Sequence, residues 1–350
     1  MFTDKNKIQK ILIIKLKGIG DVILSTVVFD NLKAYFPSAK IDFLTENPSK
    51  IALENIPLLN EILIYGKTAP GSGGFNIIRQ VRRRRYDLVL DFYSNPRTAM
   101  ITFLSGARYR AGFPYRGRAY AYNLPGPVER DKYHAAELHL EFLRHLGIST
   151  DSERLYFGLS EDDRTFADEF FRSKFSKEDI IAGISPSGGW PSKKCDPVKF
   201  AEIGDAIIER YSAKVLLLWG PGDQAEALEI RKLMKHKVTF APLTDIRKMG
   251  ALIQRCSFLV ANDSGPMHIS TAVGTPTLSL HGPTNPRLQG PFGKQHEWMR
   301  KEDLDCIGCN LLDCPRQHEC FMQLDMDKVL EKIELLIRKN NILNTRNEKV

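Results

Sequence analysis

Short apolar runs alternate with longer amphipathic stretches, such as residues 22–36, through most of this chain of 350 residues. Alternation of this kind is typical of βαβ units built around parallel sheets. The pattern therefore predicts an α/β protein. Strands are expected at 11–16, 40–45, 61–66 and 86–93 in the first half, and at 180–185, 213–220, 256–263 and 275–282 in the second.

The alternation starts again after a polar segment at 147–163, which predicts two domains of ordinary size. We expect an N-terminal domain at 1–155, a second domain at 156–325, and a C-terminal helix and tail at 326–350. Both domains are predicted to be doubly wound, facing one another across a cleft. Ligands of such sheets bind outside the carboxyl ends of the strands, so the loops there are the places to search. A Gly/Pro-rich break at 68–75 is expected to be a mobile loop.

Composition and charge narrow the class of protein. No apolar stretch approaches the roughly 20 residues that span a bilayer, and the polar N-terminus lacks the apolar core of a signal peptide, so a cytoplasmic protein is expected. The net charge of +8 favours an anionic partner: nucleic acid, an anionic membrane surface or a phosphorylated substrate. The densest basic segment, Arg79 to Asp87, is either a solvated helix face or an anion contact.

The segment Val260 to Pro286 has the order expected of a phosphate-binding turn. An apolar strand ends at Ala261, Ser264 and Gly265 form the turn, and Pro266 suits the first helical position. The free N–H groups of that helix start are a site for a diphosphate, and Asp263 can accept hydrogen bonds from a sugar hydroxyl. Alternatively, Asp263 and Ser264 only cap the helix.

A second loop, Ser185 to Pro197, also follows a predicted strand. Gly188 and Gly189 allow close approach of the backbone to a ligand, and Lys193 or Lys194 can stabilise a leaving phosphate. Adjacent lysines on a surface loop also occur for solubility alone.

The segment Lys15 to Thr26 places a carboxylate, Asp21, after a strand and a Gly18-x-Gly20 turn. Ile23 occupies the third glycine position, so the dinucleotide fingerprint of a nicotinamide-dependent oxidoreductase is incomplete. The helix dipole stabilises the ionised form of Asp21, which can then take a proton from an attacking hydroxyl as a general base. The alternative is a plain aspartate at a helix start.

Four cysteines lie within one short late segment: Cys306, Cys309, Cys314 and Cys320. Four thiolates satisfy a tetrahedral structural zinc, although this spacing is not that of a paired CxxC site. An iron–sulfur cluster and plain reduced thiols are the alternatives.

These segments, in this order, resemble glycosyltransferase family 9, the bacterial lipopolysaccharide heptosyltransferases, over residues 8–335. The resemblance implies a GT-B fold with two Rossmann-like domains, the first holding the acceptor and the second the nucleotide sugar. It implies inverting transfer of heptose from ADP-L-glycero-D-manno-heptose to the anionic lipopolysaccharide inner core, with no cofactor required for catalysis. The enzyme would be cytoplasmic, with peripheral contact to the cytoplasmic face of the inner membrane.

The resemblance also assigns residue roles. Asp21 matches the catalytic base, Asp263 the contact to the donor sugar, and Lys193 the contact to the donor phosphates. Asp223 or Glu226 would lie near the ribose. The implied donor set is Gly188, Gly189, Lys193, Thr244, Asp263, Ser264, Gly265 and His268, and the acceptor candidates, chosen by charge and position, are Gly20, Arg79, Arg116, Arg118 and His134.

Two departures from the family pattern bear on the donor sugar. Lys194, Cys195, Asp196 and Pro197 replace the basic-Trp-Pro that often follows the lysine, and Asn285 replaces an aspartate. Another nucleotide sugar, used for a surface glycan, is therefore the first alternative. The oxidoreductase is a second, and a basic nucleic-acid-binding protein is a third, although no recognised nucleic-acid-binding module occurs in the sequence.

Overall fold

The computed structural model describes residues 2, 5–66 and 74–343. The chain divides into two compact units, with the boundary between Gly158 and Leu159. Most of the expected mobile loop, residues 68–73, and the tail 344–350 lie outside the described residues.

The first unit is built on a parallel sheet of six strands in the order β3-β2-β1-β4-β5-β6. This order places β1 and β4 side by side at the point where the strand order reverses, which is where open α/β sheets bind ligands. The strands are β1 (Lys10–Ile14), β2 (Lys40–Thr45), β3 (Leu59–Ile64), β4 (Leu88–Asp91), β5 (Tyr109–Gly112) and β6 (Leu124–Pro125).

Helices connect these strands, as parallel pairing requires. The predicted helix at 22–36 is interrupted by a 3₁₀ turn at Thr26–Val28, whose buried Thr26 hydroxyl donates to the carbonyl of Ile23 at 2.6 Å. The helices are α1 (Ile19–Ser25), α2 (Phe29–Tyr35), α3 (Gly74–Arg84), α4 (Pro96–Leu104) and α5 (Ala135–His145), with further 3₁₀ turns at Lys5–Lys7, Ser49–Ala52 and Ala119–Ala121.

The second unit repeats this topology, in the order β12-β11-β10-β7-β8-β9. Here β7 and β10 are the pair at the reversal point. The strands are β7 (Ile181–Ser185), β8 (Lys214–Leu217), β9 (Thr239–Phe240), β10 (Phe258–Asn262), β11 (Thr277–His281) and β12 (Glu297–Arg300).

Helices of the second unit follow its strands in the same alternation. Gly274, in the left-handed region at φ 84°, ends the helix after β10. The helices are α6 (Glu161–Lys174), α7 (Pro197–Tyr211), α8 (Gln224–Leu233), α9 (Ile246–Arg255), α10 (Gly265–Val273), α11 (Pro286–Gln289), α12 (Glu319–Met322) and α13 (Met326–Lys339), with a 3₁₀ turn at Pro191–Lys193.

Each sheet is buried on both faces, which explains why its central strands are nearly continuous apolar runs. Every residue of β10 and β11 is buried, including the polar Ser279 and His281. The α/β class is therefore as predicted, and each sheet has two more strands than the four expected. Within the described parts of the chain, no helix is long and apolar enough to cross a membrane.

Candidate active site

The carboxyl edge of the second sheet collects the residues that the sequence assigned to the donor. Asp263 follows β10 and is 4% exposed, and Lys193 lies on the loop after β7. The Lys193 ammonium pairs with Asp263 Oδ2 at 2.8 Å, and its Nζ lies 4.5 Å from the Trp190 ring centroid. Two loops 70 residues apart in sequence thus meet because β7 and β10 are neighbours in the sheet.

The helix-capping alternative for this turn is wrong. Ser264 occupies the N-cap position of α10, but its side chain makes no capping hydrogen bond and instead donates to the carbonyl of Asn262 at 3.3 Å. Asp263 is committed to Lys193 and to the Thr284 hydroxyl, which donates to Oδ2 at 2.7 Å. The N–H groups that begin α10 are therefore not capped by these side chains.

The charge state of Asp263 follows from these partners. Burial acts to raise the pKa of Asp263, but the His281 ring, the Lys193 ammonium and the hydrogen bonds from Lys193 and Thr284 hold it below the ordinary value. A carboxylate and an ammonium therefore stand together at this edge of the sheet. One can accept from hydroxyls of a ligand, and the other can contact a phosphate.

Lys194 forms a second charged group beside the first. Its ammonium lies 3.1 Å from Asp223 Oδ1 and 2.5 Å from Glu226 Oε1, and Asp223 also accepts from the Ser187 hydroxyl at 2.6 Å. A Cβ on Gly188 would lie 2.6 Å from the Lys194 side chain, so this glycine is needed for the packing of the loop. The residues expected near a ribose are thus tied to the phosphate-side loop.

The remaining donor candidates occupy the same end of the unit. His268 is buried in the first turns of α10, Gly265 is the first residue of that helix, and Thr244 is buried in the loop after β9. Gly189 has open space where a side chain would project.

Asn262 is a contributor that the sequence analysis missed. Its buried amide donates to the carbonyl of Pro186 at 2.8 Å and accepts from the N–H of Cys195 at 3.1 Å, which holds the loop after β7 against β10. Among the positions that depart from the family pattern, Cys195 is a core residue, and Asn285 caps α11 by accepting from the N–H of Arg287.

In the first unit, Asp21 lies in the first turn of α1, beyond the carboxyl end of β1. Its side chain is 55% exposed, and its Oδ1 lies 3.6 Å from the largely buried ammonium of Lys15. Gly18 precedes the helix at φ 86°, and a Cβ there would lie 2.4 Å from Asp21 Oδ2, so the turn requires glycine at this position. Asp21 is an accessible carboxylate, and Lys15 is its one loose ionic partner among the residues that the structure describes.

A cationic and aromatic group lies at the same end of this sheet. The guanidinium groups of Arg118 and Arg130 each lie 5.1 Å from the Tyr115 ring centroid, and neither forms an ion pair with any carboxylate in the described part of the chain. The buried Nε of Arg118 also has no hydrogen-bond partner within the described ranges. Burial, followed by the charges of Lys15, Arg130 and His134, holds the pKa of His139 well below its usual range. We call Lys15, Tyr115, Arg118 and Arg130 the cationic group.

The acceptor candidates are only partly brought together. Arg118 belongs to the cationic group, while the neighbouring Arg116 is exposed at φ 52°. His134 caps α5, its Nδ1 accepting from the N–H of Ala136 at 3.1 Å. Gly20 lies in the first turn of α1 beside Asp21, and Arg79 is exposed on α3. Arg130 and Tyr115 are candidates that the sequence analysis missed.

The structure does not support the predicted zinc site. No group of three or more histidine, cysteine or acidic side chains in the described ranges is arranged to hold a metal ion. The four late cysteines instead line a cavity of only about 20 Å³ together with Ser192 and Gly282, and Cys309 is exposed. The Cys314 sulfur accepts from the N–H groups of Arg316 and His318. The cysteine segment supports the loop that carries Lys193. The N–H of Ser192, the residue before Lys193, donates to the carbonyl of Leu312 in this segment.

A much larger cavity, of about 930 Å³, lies beside the edge strand β12. Trp298, Arg300 and Lys332 line it, and none of the predicted donor residues does. The predicted donor residues therefore lie at the carboxyl ends of the second sheet's strands and not in this cavity.

Comparison with known proteins identifies the protein family to which this chain is similar. The sequence profile described as "Glycosyltransferase family 9 (heptosyltransferase)" matches residues 75–318. The lipopolysaccharide core heptosyltransferase OpsX of Haemophilus influenzae is 24% identical over 83% of this chain and 84% of its own length. Lipopolysaccharide heptosyltransferase 3 of Escherichia coli is 29% identical over 76% of this chain and 80% of its own.

Solved structures agree in fold. A family 9 glycosyltransferase from Veillonella parvula superposes with a TM-score of 0.82 at 23% identity, over 96% of this chain and 99% of its own. The ADP-heptose lipopolysaccharide heptosyltransferase II of E. coli superposes with a TM-score of 0.75 at 20% identity, over 95% of this chain and 100% of its own. The predicted GT-B fold is confirmed.

Proposed function

Because the chain belongs to glycosyltransferase family 9 and is a glycosyltransferase, we propose that it moves heptose from ADP-L-glycero-D-manno-heptose to the lipopolysaccharide inner core. This family membership replaces the alternative function considered above, that of a nicotinamide-dependent oxidoreductase. The observation that carries the proposal is the Lys193–Asp263 pair at the carboxyl edge of β7 and β10, which offers a cation to a diphosphate and a carboxylate to sugar hydroxyls. The names of the relatives support heptose as the sugar.

The proposed reaction is a single inverting displacement. The oxygen of an acceptor hydroxyl forms a bond to the anomeric carbon, Asp21 takes the hydroxyl proton, and the bond from that carbon to ADP breaks with its electron pair leaving on the diphosphate. Lys193 and the N–H groups at the start of α10 then stabilise the ADP that departs. One solved relative, heptosyltransferase WaaC of E. coli, was determined with ADP, which supports an adenine nucleotide as the leaving group.

The two units would divide the work, residues 1–155 holding the acceptor and residues 156–325 the donor. The cationic group supports an anionic acceptor, because its two guanidinium groups lack carboxylate partners among the described residues. Such an acceptor would be reached at the cytoplasmic face of the inner membrane by peripheral contact. Transfer of a different nucleotide-linked sugar to a surface glycan is the second candidate, favoured by Cys195 and Asn285 at the two departures from the family pattern.

Release of ADP from ADP-heptose, measured with a panel of inner-core acceptors, tests the proposal. We expect release that depends on an acceptor bearing Kdo or heptose, and little release without one. UDP- and GDP-linked sugars serve as matched donors and should be inert. Release from one of those sugars, with ADP-heptose inert, would instead establish the second candidate.

A further inference from the structure

A continuous row of buried polar side chains runs from β11 to Asp263. Ser279 Oγ lies 2.8 Å from His281 Nε2, and His281 Nδ1 lies 3.2 Å from Thr284 Oγ1. Thr284 in turn donates to Asp263 Oδ2 at 2.7 Å. Ser279, His281 and Thr284 have no exposed surface. Burying a polar group costs free energy unless the group is hydrogen-bonded, and apolar side chains would fill the core without that cost. A row of this length therefore indicates a role other than packing.

The direction of each hydrogen bond in the row follows from counting hydrogens. A threonine hydroxyl carries one hydrogen, and Thr284 gives it to the ionised carboxylate of Asp263. At the contact with His281, the Thr284 oxygen must therefore accept, so His281 Nδ1 carries the proton. Burial lowers the pKa of His281 to about 4, so the ring is neutral at pH 7 and its Nε2 accepts from the Ser279 hydroxyl. Donation thus runs one way, from Ser279 through His281 and Thr284 to Asp263.

The row determines which carboxylate oxygen of Asp263 is occupied. Oδ2 receives both Thr284 and the Lys193 ammonium, at 2.7 and 2.8 Å. No described residue donates to Oδ1, and Oδ1 is not among the buried atoms that lack a partner, so it reaches solvent. Two donors on one oxygen restrain rotation of the carboxylate and leave the second oxygen directed to the ligand side.

We propose that His281 and Thr284 are positioning residues, which hold Asp263 through Oδ2 so that Oδ1 accepts a hydrogen bond from a hydroxyl of the bound donor sugar. This inference rests on the proposed function, because it takes Asp263 as the donor contact. Holding an acceptor in place before the ligand arrives reduces the entropy lost on binding. A sugar hydroxyl is a suitable partner because it can donate to an oxygen that is already ionised.

Thr284→Val removes the hydroxyl while nearly conserving the side-chain volume. We expect the Kd for ADP-heptose, measured by calorimetry, to rise about tenfold, the effect of losing one hydrogen bond to a charged group. The Kd for ADP, which carries no sugar, should change about twofold or less. Thr284→Ser keeps a hydroxyl and should restore the preference for ADP-heptose. His281→Phe should resemble Thr284→Val, whereas His281→Asn, which keeps an amide donor near the Nδ1 position, should retain more affinity.

Thr277→Val, at the start of β11, is the matched control. Thr277 is also fully buried and bonded, to Ser270 at 2.6 Å and to the carbonyl of Thr275 at 2.9 Å, so its loss costs stability without touching Asp263. We expect the ratio of the two Kd values to stay unchanged in this variant. An equal change in Thr277→Val and Thr284→Val would reduce His281 and Thr284 to a general structural role and overturn the inference.

A crystal structure of Thr284→Val supplies a readout that does not depend on the donor. We expect the Asp263 carboxylate to rotate or to occupy two orientations. An unchanged carboxylate would overturn the positioning role even if ADP-heptose were not the donor. Failure of the wild type to bind ADP-heptose more tightly than ADP, together with a rotated Asp263 in the variant, would instead refute the proposed donor and keep the positioning role.

Discussion

The carboxyl edges of the two sheets have the same topology but opposite electrostatic arrangements. In the second unit, Lys193 and Lys194 are both paired with carboxylates at 3.1 Å or less. In the first unit, Arg118 and Arg130 have no carboxylate partner among the described residues, and Asp21 has only Lys15 at 3.6 Å. One edge is internally neutralised, and the other keeps its charges available.

The difference shows how one fold prepares two kinds of site. Paired charges hold side chains in place before a ligand binds, and a ligand phosphate then exchanges one partner for another. Guanidinium groups without a carboxylate partner are instead stabilised by the aromatic ring beside them. They can bind an anion without first giving up another partner. We infer that the second edge binds by partner exchange and the first by direct neutralisation.

Asp21→Asn should have the largest effect, because it removes the accessible carboxylate proposed as the general base. If Asp21 is the base, kcat for ADP release falls by about 10²- to 10⁴-fold, the usual contribution of general-base catalysis. The KM for donor should change little, and so should Tm, because the side chain is 55% exposed and loosely paired. Asp131→Asn, at an exposed position of the same unit, is the control. A loss below tenfold would end the assignment of Asp21.

Lys193→Met tests partner exchange in the second edge. Removing a charge-assisted contact to phosphate should raise the Kd for ADP by about 10- to 100-fold, measured by calorimetry. Lys194→Met is the matched change, since its partners Asp223 and Glu226 are more exposed than Asp263. We expect Lys194→Met to weaken ADP binding less. The reverse order would transfer the phosphate contact to Lys194.

Acidification should lower the stability of the second unit more than that of the first. Burial lowers the pKa of His281 to about 4 and that of His296 to about 3, so each favours folding above pH 6.5 and loses this contribution as the pH falls from 6.5 towards 4. At pH 5, each of these two histidines lowers the free energy of unfolding by about 2 kcal/mol relative to neutral pH. In the first unit, the buried His139 acts in the same direction, but burial raises the pKa of Asp91 to about 6, which favours folding as the pH falls from 6 to 4.

Tryptophan fluorescence measures this difference, because Trp190, Trp219 and Trp298 all lie in the second unit. We expect the urea midpoint by fluorescence to fall between pH 7.5 and pH 5, and hydrogen exchange in the first unit to change less. His296→Leu should reduce the acid loss of stability, while His236→Gln, at a partly exposed position, should leave it unchanged. Equal midpoints at the two pH values would contradict the prediction.

Arg118→Met and Arg130→Met should have the smallest effects, because each leaves the other guanidinium in place. We expect each to raise the acceptor KM about five- to tenfold, with a weaker dependence on salt and no change in ADP binding. Arg83→Met, exposed on α3, is the control. An acceptor KM unaffected in both variants would remove the cationic group from the acceptor site.

Much of this architecture was predictable from the sequence because its signals are local. Apolar runs and turn residues mark the central strands, and Pro266 and Gly274 mark the limits of α10. The four missed strands have weak local signals: β6 and β9 have two residues each, and β5 (Tyr109–Gly112) and the edge strand β12 (Glu297–Arg300) have four residues each and are only partly buried. Short and partly polar strands depend on their neighbours more than on their own pattern.

The sequence by itself determined the two α/β halves, the loops after β1, β7 and β10, and the residue types that those loops carry. Only the tertiary structure decided that Lys193 pairs with Asp263, that His281 reaches Asp263 through Thr284, and that Arg118 and Arg130 share Tyr115. The physical reason is the strand order: β7 and β11 both lie beside β10, so side chains far apart in sequence meet at one edge. Local sequence patterns do not specify which distant residue each charged side chain will contact.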